Sequence, residues 1–133
     1  MREIVILRLS WLRRSEYELV QHLILGRRAG LSETELDRVR LGPDAGWAPA
    51  DSDLIRATDE LCADARIGDS TWANLAERFS TCQIMDLVFL IGAYEVLAMA
   101  LNSFGTRLEP GVQHLDSAAR AHLHTVRPYN AGV

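Results

Sequence analysis

Apolar residues recur at helical spacing along most of this chain, and polar or glycine-containing breaks divide them into segments. The first runs from Glu3 to Arg13; consecutive Ile4, Val5, Ile6 and Leu7 would suit a strand by composition, but the length favours a helix. Ser15-Glu16-Tyr17-Glu18 reads as a capping box, serine at the N-cap and glutamate at N3, opening a helix to about Ala29 that stops at Gly30. Ser32-Glu33-Thr34-Glu35 is a second such box, opening a short helix to about Leu41, and Gly42–Gly46 is a loop. A further helix spans about Ala50 to Arg66, with Leu54, Ile55, Leu61 and Cys62 on its inner side. Asp69 or Ser70 caps the next, through Trp72, Leu75 and Phe79, and Ser80 or Thr81 caps a long helix to about Ser103. The rest, Thr106 to Val133, is small and polar, with a short helix expected near Asp116–His124 and a loose end at Arg127-Pro128-Tyr129. Helices joined by short loops predict an all-α bundle: one domain over 1–105, with 106–133 as a tail packing on it or on a neighbouring subunit.

Ser15, Glu18 and His22 stand at i, i+3 and i+7 of the second helix and so share a face, with Glu18 and His22 adjacent. Bundles place sites between facing helices, which suits a pocket between this face and the helix carrying Glu3. A carboxylate beside an imidazole in apolar surroundings is a candidate acid–base pair, because burial and charged neighbours tune both groups. Each residue also has a purely structural reading. Glu18 would serve the capping box, His22 would be a satisfied core residue, and Glu3 either orients His22 or lies on the surface. Ser15 is a cap first, since no nucleophile-elbow pattern surrounds it. Tyr17, Trp11 and Arg13 or Arg14 are the nearest candidates to hold a substrate, an arginine by binding a carboxylate through two parallel hydrogen bonds. Exposed arginine flanking a helix start is the commoner case, and Trp11 suits the core.

Composition narrows the chemistry. At 133 residues the chain is one domain, and a formal net charge of −4 gives no reason to expect nucleic-acid binding. All 14 basic residues are arginine, so lysine Schiff-base chemistry is excluded. Cys62 and Cys82 are too few for a disulfide framework: Cys62 reads as a packed thiol, and Cys82 lies near a helix start. His122 and His124 do not share a helical face, and no metal is expected there. No secretory signal opens the chain, which makes a cytoplasmic location the expectation. Ile84–Leu101 approaches membrane-spanning length but contains Asp86 and Glu95, so it reads as a buried helix at a subunit interface rather than a membrane span.

The spacing Glu3-x11-Ser15-x2-Glu18-x3-His22 resembles the Glu-x11-Cys-x2-Cys-x3-His active-site pattern of the alkylhydroperoxidase D-like, or carboxymuconolactone decarboxylase, family. REIVILR, SEYEL and QH look like the branch in which Tyr-Glu replaces the second cysteine, and DELCADARI and IMDLVFLIGAYEVLAMALNSFG extend the likeness from Arg2 to Gly105. The resemblance implies a helical bundle of about six helices, favours a helix for the first segment, and implies homo-oligomers, trimers or hexamers. Ser15 and Glu18 stand where the redox cysteines would be, which argues against dithiol peroxidase chemistry. What it then implies is a cofactor-independent lyase using Glu3, Glu18 and His22 on a small carboxylated or carbonyl-bearing organic acid, with Ser15, Tyr17 and Arg13 at the substrate. A peroxidase-related oxidoreductase and a non-catalytic oligomeric scaffold of the same fold are the alternatives.

Overall fold

The computed structural model describes residues 2–113 and 115–124. Among these the chain is all-helical: α1 (Arg2–Leu12), α2 (Glu16–Arg28), α3 (Glu33–Arg38) with a 3-10 turn at Val39–Leu41, α4 (Pro49–Asp64), α5 (Asp69–Ala76), α6 (Thr81–Phe104) and α7 (Ser117–Leu123). The expected segments appear in order, with α7 as a seventh. The loose end expected at Arg127-Pro128-Tyr129 lies outside the described residues.

α1 is the axis of the bundle and packs against α2, α4 and α6. Every residue from Ile4 to Ser10 is buried, which is why its apolar run shows no one-sided periodicity: a helix surrounded on all sides buries all faces. Ile4, Val5 and Leu9 join Leu54, Ile55, Leu75, Ile84 and Leu87 in one core cluster. Leu7 turns the other way, into a smaller cluster with Leu19, Leu36, Val39 and Leu123 of α7. The one charge in the buried run, Arg8, is fully engaged. It donates to both Asp59 oxygens at 2.6 and 3.0 Å and to the Val39 and Arg40 carbonyls at 2.9 and 3.1 Å. That guanidinium needs Gly42 beside it: a Cβ there would lie 3.2 Å from Arg8 Nη2, and the backbone φ is +91°.

The caps explain most boundaries, and they also correct two expectations. Ser32/Glu35 and Ser80/Gln83 form reciprocal capping boxes at α3 and α6. Ser15/Glu18 does not: Ser15 occupies the N-cap position of α2 without a side-chain cap bond. The Ser15 amide, which a box glutamate would take, already donates to the Ser10 carbonyl at 3.0 Å. α5 is capped by Gly68 rather than Asp69 or Ser70. Glu60 reaches across from α4 to accept from the Gly68 amide and the Thr71 hydroxyl, both at 2.7 Å, and so fixes that turn. α4 stops at Asp64 because Ala65 adopts the left-handed conformation.

Ile84, Leu87, Ile91 and Ala98 of α6 face the core. Only 22% of its most apolar window is buried, however, and Met85, Val88, Phe89, Val96, Met99 and Phe104 are exposed. By length and composition alone the helix could cross a membrane.

Candidate functional site

A sharp turn sets the site up. α1 ends at Leu12, Arg14 takes a left-handed φ of 55°, and Ser15 starts α2 fully buried. α2 then runs back along α1 and presents Ser15, Glu18 and His22, all buried, to the interior. His22 Nδ1 lies 2.8 Å from Glu3 Oε2 in the first turn of α1. An ionised carboxylate only accepts, so this contact places the proton of neutral His22 on Nδ1 and leaves Nε2 as the basic nitrogen. The Tyr94 ring of α6 meets the imidazole edge-on, centroids 5.1 Å apart, and its hydroxyl accepts from Arg2 at 3.2 Å.

Glu18 is the chemically unusual member. It is 2% exposed, and neither carboxyl oxygen has a hydrogen-bond partner among the described residues. Burial pushes its pKa up to about 7; the nearby Ser15 hydroxyl opposes this and the charge of Glu95 reinforces it. Ser15 Oγ is itself without a partner of acceptable hydrogen-bond geometry, so burial governs Glu18. At neutral pH the group is poised between acid and base, the range a proton-transfer residue needs.

Around this pair lies a second layer. Arg13 Nε donates to both Glu95 oxygens at 2.7 and 2.6 Å, and its Nη2 donates to the Cys62 carbonyl at 2.6 Å. Asn102 on α6 holds the Arg13 carbonyl at 2.9 Å, pinning the turn. Burial, with Glu95 alongside, raises the Cys62 thiol to about 12, so it is an inert thiol at neutral pH.

Of the sequence candidates, Glu3, Ser15, Glu18 and His22 come together here, with Arg13 at the edge, engaged by Glu95. Tyr17 points elsewhere: its hydroxyl donates to Glu109 at 2.6 Å, beside Gln21. Arg14 is exposed. Trp11 stacks on His122 at 4.2 Å, while His124 Nε2 lies 3.0 Å from Glu16, so the two imidazoles serve different partners. Sequence reasoning missed Tyr94 and Glu95 as site residues. A signal existed: a charge inside an apolar run either faces solvent or has a buried partner. Asp86 takes the first course and Glu95 the second.

A protein of unknown function from Agrobacterium tumefaciens, provisionally described as the antioxidant-defence protein AhpD, has a similar crystal structure. The two superpose with a TM-score of 0.76 at 19% identity, over 81% of this chain and 76% of that one. This chain has an AhpD-like fold. Neither a protein-family model nor a curated protein matches the sequence. The packing of α1 on α2 brings Glu3 to His22, and the chemistry at the site rests on this chain's own side chains.

Proposed function

We propose that this protein is an acid–base enzyme, a lyase of carboxymuconolactone decarboxylase type, acting without a cofactor on a small carboxylated or carbonyl-bearing organic acid. The observation that carries this reading is Glu18: a buried carboxyl with no partner, half-protonated near neutral pH, one helical turn from an imidazole oriented by Glu3. In the reaction, the bond to the departing carboxylate breaks and its electron pair moves into the conjugated carbonyl. The protonated Glu18 delivers its proton to the carbon of the resulting enolate, forming the new C–H bond. His22 Nε2 relays a proton from solvent to restore the acid. Arg13 exchanges Glu95 for a carboxylate that remains on the substrate.

The test is turnover of a carboxymuconolactone-type substrate, followed by product absorbance and released carbon dioxide. Activity that disappears in both Glu18→Gln and His22→Ala supports the lyase. A folded wild-type protein inert toward such acids counts against it and favours the scaffold reading. The peroxidase-related reading is carried by the structural neighbour's description. Hydroperoxide reduction that is lost in Cys62→Ser or Cys82→Ser would establish it instead.

We further propose that α6 joins copies of this chain into a homo-oligomer. Met85, Phe89, Gly92, Val96 and Met99 are all exposed and follow alternating four- and three-residue steps, the spacing of a helix-packing seam. Nothing lies within 4 Å of a Cβ built on Gly92, so a partner helix has room to approach closely there. Burial of this stripe in an oligomer fits a cytoplasmic protein without a membrane span.

A further inference from the structure

α2 has a second working face. Opposite Glu18 and His22, its Leu19, Val20, Leu23 and Ile24 form the wall of a cavity of about 320 Å³. Leu36 and Val39 close it from one side, and Leu115 and Ala119 from the other. The volume is at the lower end of small-molecule sites, and apolar walls meet charged residues within the same cavity. None of the candidate catalytic residues lines it.

The charges at its mouth select among ligands. Arg27 is committed to Glu33 by two hydrogen bonds at 2.6 and 2.9 Å, and Arg40 to Asp37 at 2.5 Å. Asp116 is the loosest member: among the described residues its nearest cation, Arg40, is 3.5 Å away. Three carboxylates therefore face two guanidiniums, and the spare capacity is negative. The Ala119 amide, donating to Asp116 at 2.8 Å, favours its ionised form and lowers its pKa. An anionic ligand would have to break Arg27–Glu33 or Arg40–Asp37. A cationic one adds to Asp116 without breaking either.

We propose that this cavity is a binding site for a small amphiphilic cation, an arylalkylamine whose ring lies between α2 and Leu115 and whose ammonium group pairs with Asp116. The site is independent of the chemistry proposed for Glu18 and His22.

The probe is 2-phenylethylamine, with phenylacetate as the same body carrying the opposite charge, titrated into the full-length protein by calorimetry and amide NMR. The expected result is saturable sub-millimolar binding of the amine, at least about tenfold tighter than that of phenylacetate, the discrimination one ion pair supplies. Amide shifts are expected at Leu19, Val20, Leu23 and Asp116. Asp116→Asn keeps a good helix cap while removing the charge, and it should weaken amine binding about tenfold. Ile24→Phe puts a larger side chain into the cavity wall and should abolish binding, with an unchanged far-UV spectrum. Equal or tighter binding of phenylacetate overturns the proposal. So does no binding of the amine at millimolar concentration, or amide shifts confined to Glu18 and His22.

Discussion

Glu3 and His22 meet through a 2.8 Å contact between Oε2 and Nδ1, tying the first turn of α1 to the middle of α2. Because Glu3 accepts only, His22 is set in one tautomer. The ¹⁵N shifts of the His22 ring in wild-type protein at pH 8 should show a protonated Nδ1 and a bare Nε2. Glu3→Ala should give a mixture of tautomers and lower turnover, while His22→Ala should cost about 10²–10⁴ in kcat, the usual range for a positioned acid–base group. A bare Nδ1 in the wild type would remove Glu3 from the site.

Glu18 makes stability depend on pH in a definite direction. Its folded pKa of about 7 lies above the ordinary 4.5, so the folded state binds the proton more tightly. Wild-type stability should therefore fall as pH rises from about 4.5 to about 7 and level off above that, by about 3 kcal/mol in all. Glu18→Gln should remove this slope: similar to the wild type near pH 4.5, and more stable at pH 8. Urea melts at the two pH values check it. Destabilisation by glutamine at both would instead indicate that the carboxylate does structural work that the fold does not reveal.

Arg8 and Asp59 form a part-buried pair whose arginine also holds two carbonyls of the turn after α3. Asp59→Ala leaves that guanidinium without its counter-ion and should cost about 3 kcal/mol in equilibrium unfolding. Adding Arg8→Met should recover part of the loss, since the two residues share one interaction.

Cys62 and Cys82 should react very differently. Cys62 is half-buried and its thiol is raised to about 12, whereas Cys82 is exposed. A thiol reagent at pH 8 should modify Cys82 fast and Cys62 only on unfolding. Rapid reaction of Cys62 would reopen thiol chemistry at the site.

The α6 stripe predicts an assembly. Light scattering on the purified wild type should give a mass above 14.8 kDa, and Phe89→Arg with Val96→Arg should reduce it to the monomer without loss of helicity. A monomeric wild type would refute the interface.

What the sequence determined by itself is what the backbone settles locally. The capping box at Ser32, the cap at Ser80, the glycine stop at Gly30 and the i, i+4 relation of Glu18 to His22 depend on residues within a turn or two of each other. Even there the local rule failed at Ser15, where the tight Arg13-Arg14 turn gives the Ser15 amide to Ser10 and frees Glu18 from capping. Only the tertiary structure decided which distant side chains share the site. Arg13 and Glu95 are 82 positions apart, and helical periodicity places each on a face of its own helix without saying which face meets which. The burial that raises Glu18 to about 7 and the exposure of half of α6 arise from the same packing of α2, α4 and α6 around α1. Burial and charge proximity are properties of that three-dimensional arrangement, which a one-dimensional pattern does not contain.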